Sequence, residues 1–245
     1  MIALLEWVSP EGRGRRKTAV EEDFVLQLRL YRAAIVKGAR TPEAVMRRRV
    51  VSVGKRLRKL GVNRAILPAA FPYGRELARC GIRPVSTLSL RRALAADWVR
   101  WALAERGAGG ARVAVCADQL TGEVVRTVTE LCLRHRYVLL DVPYGGEELC
   151  RQLRREDGVS LLLEPPKEQL EGAEALVLFD ERAELARREG RVVLELYDEC
   201  QPLPPIALPP EVELPAGADR GQLLAALREA GVLRPGQLTV DGKRA

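Results

Sequence analysis

Between residues 112 and 197 the chain repeats one pattern, a short apolar run followed by a polar turn and a stretch with apolar residues at helical spacing. The runs 112–117, 137–142, 175–179 and 192–197 are too short for helices and read as strands buried on both faces. Residues 121–134 place Val124, Val125, Val128, Leu131 and Cys132 on one helical face; 147–156 is also helical and 159–164 extended. Less helix separates the last two strands. Parallel strands need crossover connections, and a covering helix buries its apolar stripe on the sheet, so the alternation predicts a Rossmann-like, mostly parallel sheet with flanking helices over about 108–200.

The preceding residues predict a second α/β unit. Residues 3–8 and 23–30 read as the strands of a hairpin joined by the Gly- and Arg-rich stretch 9–19. Thr41-Pro42 signals a helix start, with threonine as cap and proline at the first helical position, and the helix runs to about Leu60. Met46, Val50, Val53, Leu57 and Leu60 share one face of it, and Arg47, Arg48, Lys55, Arg58 and Lys59 the other. Short strands follow near 63–68 and 82–85, then a helix over 88–105 with Leu90, Leu94, Trp98, Trp101 and Ala102 on its stripe. Six prolines between 202 and 215 predict an extended strap, after which Asp219 caps a helix carrying Leu223, Leu224, Leu227 and Ala230 on one face. The expected organisation is a basic N-terminal α/β domain over 1–107, a Rossmann-like domain over 108–200, and a proline-rich strap with a C-terminal helix over 201–245.

Charge is divided unevenly. Residues 1–110 hold 23 Lys and Arg against 9 Asp and Glu, and the remainder 17 against 24. The five cysteines are scattered and form no C-x-x-C, which argues against a disulfide framework or a zinc knuckle. No apolar run approaches the roughly 20 residues that span a bilayer, and the first residues lack the charge order of a secretory signal. A cytoplasmic location without membrane contact is the expectation.

The turn after 112–117 is where a doubly wound domain would carry its phosphate loop. It reads Cys116-Ala117-Asp118-Gln119-Leu120-Thr121-Gly122, without G-x-G-x-x-G. A dinucleotide site needs glycines for close backbone approach, and Asp118 would repel the pyrophosphate, so ordinary NAD(P) binding is disfavoured and the cofactor is left unknown. Asp141 ends the next strand, where Rossmann enzymes hold ribose with a carboxylate, and Tyr144-Gly145 follows on the same sheet edge. Asp118, Thr121, Gly122, Asp141, Tyr144 and Gly145 are therefore the candidate ligand-binding residues. Asp180, Glu181 and Glu184 follow the strand 175–179, but acidic residues at a helix start stabilise it on their own account, so no metal site is assigned. With one histidine, His135, and no G-x-x-x-x-G-K-[ST], histidine-based triads on other residues, H-E-x-x-H and P-loops are excluded, and no catalytic residue stands out.

Over 108–198 the chain resembles the Rossmann fold in layout and departs from it at the fingerprint. A basic α/β unit ahead of such a half is similar to the layout of two-domain dehydrogenases such as shikimate dehydrogenase; the resemblance brings no catalytic residue with it. Three functions follow as expectations: a non-catalytic or degenerate Rossmann-like protein binding a small ligand or a protein partner; a divergent nucleotide-using enzyme; and weak, non-specific nucleic-acid binding through Arg47, Arg48, Lys55, Arg58, Lys59 and the basic stretch 12–17.

Overall fold

The computed structural model describes residues 1–10, 18–108, 110–182, 185 and 190–240. Contacts divide the chain into two compact units, Met1–Thr87 with Pro209–Arg234 and Leu88–Leu208 with Pro235–Ala245.

The first unit opens with β1 (Ile2–Val8), β2 (Thr18–Val25) and β3 (Leu28–Val36), followed by α1 (Glu43–Lys59), β4 (Arg64–Ile66), α2 (Gly74–Arg79) and β5 (Arg83–Pro84). Its sheet has the order β2-β3-β1-β4-β5, parallel except for β2. The expected hairpin of 3–8 with 23–30 is thus corrected. The hairpin is β2 with β3, turning at Leu26 and Gln27, and β1 runs parallel to β3 in the sheet interior. Burial explains the arrangement: Ala3, Leu4 and Leu5 of β1 are fully buried, whereas β2 carries Glu21, Glu22 and Asp23 and takes the edge, where charge discourages further pairing.

Helix α1 covers this sheet with the face the sequence predicts, packing Met46, Val50, Val53 and Leu57 against Ala3, Leu5, Ala33 and Ile35. Leu60, expected on that stripe, lies past the helix end and is exposed. Thr41 is not the cap either; its Oγ1 accepts the Gly38 N–H at 3.0 Å, so it closes the preceding turn, and Pro42 takes the cap position without a side-chain bond. At Gly54 an added Cβ would lie 3.0 Å from Cys80 Cβ, so glycine is what lets α2 approach α1.

The second unit begins at α3 (Leu88–Ala93) and α4 (Ala95–Ala104) and continues through β6 (Arg112–Cys116), α5 (Gly122–Cys132), β7 (Tyr137–Asp141), α6 (Gly146–Glu156), β8 (Leu162–Leu163), α7 (Lys167–Glu171), β9 (Ala175–Leu178), β10 (Val192–Glu195) and β11 (Ile206–Ala207). The predicted single helix over 88–105 is two, broken at Leu94. They pack on β9, β10 and α5, so the contact boundary falls at Thr87 and not at the glycine-rich stretch that precedes β6. The sheet is parallel throughout, in the order β10-β9-β6-β7-β8. The first strand lies in the middle, the next two wind to one edge, and the chain then crosses back to lay β9 and β10 on the other side. This is a Rossmann-like, doubly wound α/β sheet.

The chain then returns to the first unit as α8 (Arg220–Glu229), which lies against β4. Asp219 caps it, accepting the Gln222 N–H at 2.9 Å, and donates its own N–H to the Leu67 carbonyl at 2.7 Å. Gln222 Oε1 accepts the Leu67 N–H at 2.9 Å, so α8 satisfies the backbone that β4 leaves open at its end. A 3-10 turn at Pro235–Gln237 and β12 (Thr239–Val240), paired antiparallel to β11, complete the described residues. Among them no helix is long and apolar enough to cross a membrane.

Candidate ligand site at the switch point

Strands β6 and β9 are hydrogen-bonded neighbours, with Cys116 beside Leu178, yet the chain leaves β6 toward β7 on one side and β9 toward β10 on the other. Their loops diverge, and a crevice opens beyond the carboxyl ends. Its volume is about 290 Å³, and Arg92, Asp118, Gln119, Thr121, Val124, Phe179 and Asp180 line it.

Two strand-end aspartates shape the opening. The Asp118 N–H donates to Asp180 Oδ2 at 2.7 Å, and Arg182 Nη2 donates to Asp118 Oδ1 at 3.0 Å. Thr121 Oγ1 accepts the Val124 N–H at 3.4 Å, so the hydroxyl that faces the crevice also caps α5. Phe179, buried at the end of β9, supplies an apolar surface. Arg92 reaches in from α3. Its Nε donates to the Leu196 carbonyl at 3.0 Å, its Nη1 to Glu123 Oε2 at 3.1 Å, and its guanidinium stands 5.9 Å from the Phe179 ring centre. Arg126 in turn donates to the Arg92 carbonyl at 3.3 Å. With its Nε bonded to the chain after β10 and its Nη1 to α5, Arg92 braces the wall of the crevice.

The candidates named from the sequence do not converge on one place. Asp118 and Thr121 line the crevice. Tyr144, 85% exposed, and Gly145 line a separate depression of about 340 Å³ beyond β7 and β8, with Glu147, Glu148 and Arg151. Gly145 serves the turn into α6: its φ is +82°, and an added Cβ would come within 3.1 Å of Leu120 Cδ2. Asp141 lies beside Cys116, and its carbonyl accepts the Ala117 N–H at 3.0 Å. Neither Asp141 nor Gly122 lines either cavity. A Cβ at Gly122 would meet nothing within 4 Å, so no close backbone approach requires glycine there.

Sequence reasoning missed Arg92, Gln119 and Phe179, and read Asp180 only as part of an acidic group. Asp180 was within reach, since the Rossmann strand order alone sets the end of the fourth strand beside that of the first. Arg92 was not, because the helix that carries it had been grouped with the other unit.

On α1, Arg47 pairs with Glu43 at 2.6 Å and Glu76 at 3.5 Å. Arg48, Lys55, Arg58 and Lys59 are exposed, and among the described residues none of the four is in an ion pair. The stretch 12–17 lies outside the described residues.

No family model matches the chain. No curated protein sequence matches it either. Among solved structures the chain is similar to L-tryptophan dehydrogenase from Nostoc punctiforme, at 14% identity and a TM-score of 0.28, over 60% of this chain and 44% of that one. It is also similar to the tetrameric eIF2B-beta2-delta2 complex from C. thermophilum, at 14% identity and a TM-score of 0.25, over 57% of this chain and 61% of that one. It therefore spans less than two thirds of each, and likenesses this distant bear on neither ligand nor activity.

Proposed function

We propose that the second unit is a small-molecule-binding module whose ligand occupies the crevice between the ends of β6 and β9 and presents hydroxyl or amino donors to Asp118 and Asp180. The observation that carries this reading is the aspartate pair at the switch point. Ionised carboxylates only accept hydrogen bonds. A pyrophosphate brings only acceptors, to which an ionised carboxylate offers no donor; a polyol, the sugar of a nucleoside or an amine brings donors. Gln119 and Leu120 stand where a dinucleotide loop carries glycines, in keeping with the same choice. The role is binding, with no residue assigned to catalysis.

A thermal-shift panel tests it. A donor-rich ligand at about 100 times its Kd stabilises the folded state by about 2.7 kcal/mol, and Asp118→Asn with Asp180→Asn removes the shift. If NAD or ADP shifts the transition and polyols, nucleosides and amines do not, the donor reading fails. Reproducible turnover of any ligand would instead favour a divergent nucleotide-using enzyme at this site.

A second reading rests on Arg48, Lys55, Arg58 and Lys59, which are exposed on α1, form no ion pair among the described residues, and are suited to a polyanion such as nucleic acid. Binding to mixed-sequence DNA weakens with salt at a log–log slope of about −0.9 per phosphate neutralised. Reversing Arg48, Lys55 and Lys59 to Glu abolishes it with the apolar stripe untouched. Absence of binding by the unmodified protein at low salt rejects this reading.

A further inference from the structure

At the opposite edge of the second sheet, where β7 and β8 begin, lies a cavity of about 640 Å³, larger than either crevice at the carboxyl ends. Its walls include Cys132, Val138, Leu139 and Leu161, all buried and apolar in character. Arg112 and Arg136 stand at its rim, both exposed, and no carboxylate lines it. Among the described residues neither guanidinium is in an ion pair; Arg136 lies over the Tyr137 ring, 5.4 Å from its centre, and the nearby Glu174 carboxylate accepts the Arg112 backbone N–H at 2.7 Å. The wall also holds His135. Its Nε2 atom is buried and, among the described residues, has no hydrogen-bond partner, an uncommon state for a buried polar atom.

We propose that this cavity is a second binding site, for an amphipathic organic anion: an aromatic or aliphatic body against Val138, Leu139 and Leu161, an anionic head between Arg112 and Arg136, and a hydrogen bond to His135 Nε2. Each part answers a separate observation. The apolar wall gains from covering. The two guanidinium groups give planar, charge-assisted donors suited to a carboxylate or sulfonate. The orphan imidazole nitrogen acquires a partner. Burial pushes the Cys132 thiol up to about 12, which disfavours a thiolate there at neutral pH. Burial first, and then the Arg134 charge, hold His135 below its ordinary range, so a neutral ring faces the cavity. This site lies at the other end of the strands from the switch point and shares no lining residue with it.

Because the chain has one histidine, its imidazole carbon and proton signals report on this cavity alone. The tag-free full chain is titrated with 8-anilino-1-naphthalenesulfonate, following dye fluorescence and the His135 imidazole shifts. We expect one saturable site, with both readouts on the same isotherm, displaced by naphthalene-1-acetate and not by naphthalene-1-methylamine. Arg112→Gln with Arg136→Gln weakens binding at least tenfold. Arg151→Gln with Arg154→Gln, which removes the same charge from α6, leaves it within twofold. Circular dichroism verifies that both variants are folded. Fluorescence that rises without saturating, a His135 signal that does not move, or unchanged affinity in the Arg112 and Arg136 double variant overturns the proposal.

Discussion

Replacing Arg92 with methionine isolates what holds the crevice wall in place. Methionine keeps an unbranched stem against Phe179 and removes the guanidinium. The Leu196 carbonyl, in a fully buried residue, then loses the Nε donor at 3.0 Å; leaving such an acceptor unsatisfied costs about 1–3 kcal/mol. The Arg92–Glu123 pair has side chains 30% and 38% exposed, so screening limits it to at most about 1 kcal/mol. The expected loss is about 2–3 kcal/mol. Trp98 and Trp101 belong to this unit and Trp7 to the other, so in a Trp7→Phe background urea unfolding followed by tryptophan fluorescence reads the second unit alone. With a slope of about 1–3 kcal/mol per molar urea, the midpoint falls by about 0.7–3 M. Glu123→Gln costs about 1 kcal/mol or less, and Arg92→Lys falls between, since an ammonium keeps the charge without the planar fork. An Arg92→Met unfolding free energy within about 0.5 kcal/mol of the parent would falsify the claim that Arg92 braces the crevice, because that is the range of an ordinary surface substitution.

Three further outcomes are expected. Asp219→Ala removes the α8 cap and lowers the stability of the first unit by about 1 kcal/mol, read from Trp7 fluorescence in urea; no change would detach α8 from the support of β4. Leu26 holds φ +55° in the β2–β3 turn with its side chain largely exposed, so Leu26→Gly relieves left-handed strain and raises stability by about 0.5–1 kcal/mol; a loss of stability would contradict the assigned turn. His135 titrates below 6.5 when followed by its imidazole signals. As pH falls below that value the unfolded chain takes up the proton before the folded one does, so stability declines on acidification toward the folded pKa, and His135→Gln removes that part of the decline.

The second sheet was legible because strands covered on both faces must be apolar in their interiors, and Val113–Ala117, Val138–Leu140 and Ala175–Phe179 are. The first sheet was less so. Its hairpin turns at Leu26-Gln27, where no glycine or asparagine marks the bend, and the central place of β1 depends on pairing that periodicity does not encode. The same limit applied to the site. Asp118 and Thr121 could be named because the turn after the first Rossmann strand is fixed by the fold. Asp180 and Arg92 come to that turn only through the strand order and the packing of α3, and Tyr144 and Gly145, on the same sheet edge, open into a different depression because it lies at the ends of β7 and β8 and not at those of β6 and β9. The division of α1 into an apolar and a basic face was read directly, since it follows from the helical period.

The most direct test of the central claim is a crystallographic soak of the full chain with a fragment library rich in polyols, nucleosides and small amines, alongside adenine dinucleotides. The account predicts fragments in the crevice between β6 and β9, with hydroxyl or amino groups within hydrogen-bond distance of Asp118 and Asp180. A crevice filled by the Gln119 or Arg182 side chain and empty of every fragment, or one occupied by a pyrophosphate, would contradict it.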